Sequence, residues 1–175
     1  MMKKLSILLA ITVLVFTSCS KDDDALEVSG NIIGTWEMTD YDYSGATTTT
    51  VQGQSITADF VGEALDLDYR ITFEENLNIL TTDGGFIIRL TTTLSGQTTT
   101  QDYNTNQIES INSGTWEIVN NELITTAEGG VEGRYKILEL TESSLVLLLD
   151  QELDLSQSGA TIISRINGKM SFKRE

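Results

Sequence analysis

The sequence predicts an all-β protein, an antiparallel up-and-down barrel of eight to ten strands, with an open β-sandwich as the alternative. Three observations predict it. Thr supplies 24 of the 175 residues, and a β-branched side chain suits a pleated surface better than a helix. Apolar and polar residues alternate with period two in several segments, which separates a core face from an outer face. Turn residues recur between those segments, so successive strands read as hairpins. With no Pro in the chain nothing guards an edge strand, and closing the sheet removes its edges.

The chain opens with a leader. Lys3 and Lys4 precede an apolar run from Leu5 to Phe16 that only Ser6 and Thr12 interrupt. That run is too short for a spanning helix, which needs ~20 apolar residues, and it reads as a secretory signal peptide over residues 1–18. It ends in Phe16-Thr17-Ser18-Cys19, which resembles a bacterial lipobox, with Phe16 standing where Leu is usual. Cleavage before Cys19 would make this single cysteine the acylated N-terminus. The alternative is an ordinary secreted protein cut near Thr17-Ser18 with a free thiol. Lys21-Asp22-Asp23-Asp24 follows and resembles the surface-export signal of Bacteroidetes lipoproteins, which implies attachment to the outer membrane facing the exterior, the periplasmic face being the alternative. Two or three acyl chains make a stable anchor where one is marginal. Residues 19–31 read as the acylated cysteine and a flexible acidic tether, and residues 32–175 as one domain.

Within that domain the first strand starts near Gly34 and carries Tyr41 and Tyr43 on one face, a pair better explained by packing than by a cavity. Ser55 to Ala64 looks irregular, with room for a helical turn. Tyr69, Ile71 and Phe73 alternate with Arg70 and Thr72, and Phe86, Ile88 and Leu90 alternate with Ile87 and Arg89. These six are the candidate cavity lining. Leu145, Leu147 and Leu149 repeat the pattern, which continues through Leu153 and Leu155. Turns are expected at Glu74-Asn76, Asp83-Gly85, Ser95-Gly96, Asn120-Asn121, Glu128-Gly130, Thr141-Ser143, Ser156-Gly159 and Asn167-Gly168. Thr-rich loops are expected at Thr47 to Gly53 and Gln97 to Asn106.

Gly34-Thr35-Trp36-Glu37 recurs as Gly114-Thr115-Trp116-Glu117, and these hold the two tryptophans of the chain. The first copy, at the start of the domain, resembles the lipocalin-like domain family, small bacterial barrels whose Gly-x-Trp segment opens the first strand. The resemblance implies that Trp36 packs across the closed end of the barrel beneath a basic residue of the last strand, Arg165 or Arg174. On physical grounds too, a large amphipathic ring at a strand start can plug a barrel end. Trp116 has the same structural reading, with an exposed binding surface as its alternative.

Composition narrows the function. The absence of His removes imidazole bases and His-bearing metal sites, and one Cys excludes an internal disulfide and Cys-x-x-Cys chemistry. A net charge of −15 argues against nucleic acid. Asp66 with Asp68, and Asp150 with Glu152 and Asp154, have the same-face spacing that a glycosidase pair or a Ca²⁺ site needs, but such rows suit a solvated outer face equally and no Ca²⁺ loop motif accompanies them. The expectation is therefore a non-enzyme without cofactor or metal: a monomeric lipoprotein, held to the bilayer through Cys19, that binds a small, largely apolar molecule. The alternative is a structural or interaction module displayed on the cell surface, offering glycans or proteins its Thr-rich faces with Trp116 or Tyr103 as a platform.

Overall fold

A computed structural model describes residues 27–105 and 111–175. The segments read as leader and acylated Cys19, and the expected tether up to residue 26, lie outside the described residues. The rest of that expected tether, 27–31, is not free, since Glu27–Val28 pairs with Glu139–Leu140 and Ser29 and Gly30 both donate to the Leu140 carbonyl. Ten strands follow in order: β1 (Glu27–Val28), β2 (Gly34–Val51), β3 (Gln54–Phe73), β4 (Ile79–Leu94), β5 (Gln97–Thr105), β6 (Gly114–Val119), β7 (Glu122–Ala127), β8 (Glu132–Leu140), β9 (Ser144–Asp154) and β10 (Thr161–Arg174). One 3₁₀ turn, Asn76–Asn78, separates β3 from β4.

Eight of these strands form a ring, running β8-β7-β6-β4-β3-β2-β10-β9 and back to β8. The ring is antiparallel throughout, and β1 adds a parallel pairing onto β8, the one parallel pair among the described residues. This is the barrel the alternation predicted, but it closes at one end alone. Strand β4 meets β6 through just Ile79↔Thr115 and Leu80↔Gly114. Higher up, Phe86 to Leu94 pairs with β5 instead, so the wall opens there and, among the described residues, β5 has no second neighbour. Strands β2 and β3, at 18 and 20 residues, run far past the common strand length of ~5–6. The molecule thus has a closed base and, above it, a broad sheet in the order β9-β10-β2-β3-β4-β5.

Bulges mark the passage from one to the other. On β2, Asp40 pairs with Ser171 and Met38 with Phe172, which leaves Thr39 as an extra residue whose hydroxyl donates to the Ser171 carbonyl at 3.1 Å. The extra residue shifts the side-chain parity, so Trp36 and Met38 below it and Tyr41 and Tyr43 above it all turn inward. The β3–β4 register slips between Leu65 and Asp68 at the same level. There Asp66 takes φ 50° and, on the facing strand, Gly84 takes φ 87°. A Cβ on Gly84 would lie 1.6 Å from the Asp68 carbonyl oxygen, so this position requires glycine.

Four expectations for the chain path are corrected here. Asp83-Gly85 is paired strand inside β4, opposite Asp68–Arg70, where Gly84 serves close approach to β3 and not chain reversal. Asn167-Gly168 lies inside β10, where Gly168 pairs with Tyr43. Ser55 to Ala64 is continuous β3, held by pairing on both sides to β2 and β4. The Thr-rich segments are strand: Thr47–Thr50 ends β2, and Gln97–Thr105 is β5. Side-chain ladders such as Thr48–Thr57 and Thr91–Thr100, at 3.0 and 3.1 Å, tie their outer faces together.

Candidate functional site at the barrel mouth

The base is filled. Trp36 is fully buried and its indole N–H donates to the Ile32 carbonyl at 2.7 Å. The Arg174 guanidinium lies 4.2 Å above the ring. It also donates to the carbonyls of Ile33 and Glu142, both at 2.6 Å, and to that of Asn31. One cation thereby holds the incoming chain, the β8–β9 turn and the plug together. Gly34 opens the strand because a Cβ there would come within 2.8 Å of that guanidinium. The cation is Arg174 and not Arg165, which sits mid-strand on the outer face, 75% exposed in its side chain, and pairs with Glu152 at 2.7 Å. The register explains the difference: Arg174 pairs with Trp36 itself, whereas Arg165 pairs with Ala46.

Tyr69, Ile71 and Phe73 belong to this packed base. They line no cavity, which corrects the expectation for half of the candidate lining. The Tyr69 hydroxyl donates to the Ile111 carbonyl at 2.7 Å, and Ile111 is itself fully buried. Trp116 is half-buried on the rim of the base: its ring meets Phe73 edge-on at 5.5 Å, and its N–H reaches the Glu74 carbonyl at 3.3 Å. Asp68 pairs with Arg70 on the outside, and Asp66 is exposed in the bulge.

Above the base an open cavity of about 380 Å³ remains. Phe86 and Tyr41, both buried, form its floor; Phe86 stands edge-on to Tyr41 at 6.2 Å and to Tyr69 beneath at 5.5 Å. Ile88, Leu149 and Ile166 make the walls, with Tyr43, Tyr103 and Thr105 completing the lining. Phe86 and Ile88 are therefore where the lining was expected. Leu90 shares their face one step higher and lies above the cavity, on the open sheet. Tyr41 and Tyr43, read from sequence as packing, pack and line at once: their rings are 5.4 Å apart and Tyr43 also meets Phe60 at 6.1 Å.

Among the described residues no charged group lines this cavity. Burial, and then the neighbouring Tyr43 and Tyr135, push the Tyr41 phenol well above its ordinary value. Burial, followed by Tyr103, raises Tyr43 as well. Both therefore stay neutral hydroxyls near pH 7, able to donate to or accept from a ligand oxygen. Other hollows carry charged side chains. The one over β7, β8 and β9, of about 540 Å³, is ringed by Glu122, Glu132, Arg134, Lys136, Asp150 and Glu152.

A barrel with a Trp-plugged base and an apolar mouth defines a class of binding folds, the lipocalin-like barrels. The family model for the lipocalin-like domain matches residues 32–147, and the chain belongs to that family. Comparison with curated proteins finds no match. Strand β10, which supplies Arg174 and Ile166, lies beyond the matched span yet pairs with β2 and β9 to complete the ring.

Proposed function

We propose that this protein is a lipoprotein of the outer membrane, anchored through Cys19 and facing the exterior, whose barrel mouth holds a small, uncharged, largely apolar molecule without chemical change. The cavity carries this reading. Its volume of about 380 Å³ lies within the ~300–1,000 Å³ usual for ligand sites, and its mix of aliphatic walls with a few hydroxyls is the usual composition of such sites. A described lining free of charge in a protein of net charge −15 favours a neutral occupant over an acid or a base. Catalysis finds little support, since a general base works best near pKa 7 and burial drives the two cavity phenols the other way. The anchor rests on the lipobox-like Phe16-Thr17-Ser18-Cys19 and the exterior address on Lys21-Asp22-Asp23-Asp24. The chain enters the barrel at Ile32, beside the Trp36 plug, which leaves the mouth at the far end from the tether.

Native mass spectrometry of the full chain taken from its host membrane tests the reading. The wild type should retain a neutral apolar molecule that Ile88→Glu loses and Val61→Glu, on the outer face of the same sheet, keeps. A wild type without ligand, or retention by Ile88→Glu, would contradict it. In the same cells Cys19→Ala should move the protein out of the membrane fraction.

A further inference from the structure

The open sheet above the mouth has two faces of opposite character. Register places Leu155, Ile162, Thr49 and Ile56 in one row on the inner face, and Leu153, Ser164, Thr47, Ala58, Leu94 and Gln97 in the next. The rows below are Ile166-Gly45-Phe60-Thr92-Thr99 and then Gly168-Tyr43-Gly62-Leu90-Gln101. None of these residues is charged. On the outer face, one residue along each strand, the corresponding rows carry Asp59, Glu63, Arg89, Asp102, Glu152 and Arg165, with cross-strand ion pairs Arg89–Asp102 and Arg165–Glu152. The inner face is uncharged, mixing aliphatic side chains with Thr, Ser and Gln, and is uncovered among the described residues: Val51, Ile56, Leu94, Tyr103 and Leu155 are 41–51% exposed. Five large apolar side chains this exposed on one uncharged face are unusual on a monomer's free surface.

We propose that this face docks on the same face of a second copy, forming a two-fold sheet-on-sheet dimer that roofs both barrel mouths. Dimensions and charge select this occupant. Six strands at ~4.8 Å spacing and eight residues of rise along β2 at ~3.4 Å give a face of roughly 25 Å by 27 Å. Two such faces in contact cover on the order of 1,300 Å² in total, the size of a specific protein–protein interface. One apolar chain molecule would cover a single strip of it. Two copies of a protein with net charge −15 repel across almost any other contact, whereas this one brings no carboxylate against another. A two-fold contact between identical sheets needs only self-complementarity, and rows that each mix aliphatic with uncharged polar side chains offer no charge against it. The dimer face shares Tyr43, Tyr103 and Ile166 with the cavity lining, whereas Ile56, Leu94 and Leu155 lie above it, and the test is placed at those.

Site-specific photocrosslinking in the host, with the full chain carrying a photoreactive residue at Ile56 or at Val61, tests it. Both positions are exposed, at 51% and 56%, on opposite faces of β3. Position 56 should give an adduct of twice the chain mass whose joined peptides all come from this sequence, at least ~10-fold more abundant than from position 61. Leu94→Glu should abolish that adduct, since an unpaired carboxylate would be buried. Absence of the adduct, equal yield from both positions, persistence in Leu94→Glu, or crosslinks from position 56 to lipid, glycan or another protein would overturn the dimer. Loss of the dimer with ligand retained would leave the mouth reading intact, and the converse result would leave the dimer.

Discussion

Strand β2 passes through two environments within one hydrogen-bonded ribbon. At its lower end Trp36 and Met38 are buried, sealed by Arg174 and by the closure of β4 onto β6. At its upper end Thr47 to Thr50 are half-exposed and Val51 is exposed, with the sheet supported by neighbours at its sides and uncovered on top. The bulge at Thr39 divides the two. Backbone pairing is no sparser at the upper end, where Asp42 to Val51 pair with β3 without interruption, so the difference in stability must come from side-chain burial, and the region spared that duty is free to bind.

Substitutions that cross this boundary sharpen the contrast. Trp36→Ala should cost about 3–5 kcal/mol in urea unfolding, the range for deleting a buried large aromatic. Ile56→Ala on the open face should stay within about 0.5 kcal/mol of wild type as a monomer. Equal losses at the two sites would erase the distinction. Gly84→Ala, at the junction, should cost about 1–3 kcal/mol through its positive φ and the contact with the Asp68 carbonyl. Tyr69→Phe leaves the buried Ile111 carbonyl without its 2.7 Å partner and should cost about 1–2 kcal/mol with no change in ligand binding.

Titration separates the regions more gently. Tyr41 sits with its phenol raised above the ordinary 10.0, so its contribution is complete below that value and is lost as pH climbs toward the folded-state value. Alkaline unfolding should therefore begin above pH ~10, and Tyr41→Phe should lessen its steepness while removing the late-titrating tyrosinate signal. The smallest effect belongs to the exposed outer face. The Arg89 guanidinium holds the Asp102 carboxyl below its ordinary value, a contribution present above that value and lost as pH falls through the folded one. Arg89→Met should return Asp102 toward normal titration by NMR and leave neutral-pH stability unchanged, since both side chains are about half exposed.

Much of the base was legible in the sequence. Gly34-Thr35-Trp36 announces a strand that begins at a crowded barrel end, and the period-two runs at Tyr69–Phe73 and Leu145–Leu149 mark walls with one face inside. The mouth was less so, because bulges break the period on which such reading depends. Thr39 and Asp66 each shift the inward face by one residue, a change that only the register with the facing strand reveals. For the same reason Gly84 and Gly168 imitate turns while serving close approach inside strands. Arg165 and Arg174 differ in sequence only by position on one strand, and which of them covers Trp36 is decided by pairing with β2. Tyr41 and Tyr43 were visible as same-face neighbours, but whether they pack or line depends on where the wall opens, which is set by the switch of β4 from β6 to β5.

Native-state hydrogen exchange along β2 tests the division most directly, since a single strand reports on both regions. The amides of the Gly34–Tyr41 segment should exchange only with global unfolding, at a free energy that matches urea denaturation, while those of Thr47–Val51 should open locally and far more readily. Uniform protection from Gly34 to Val51 would contradict the account, because the upper sheet would then be as much a part of the cooperative core as the plugged base.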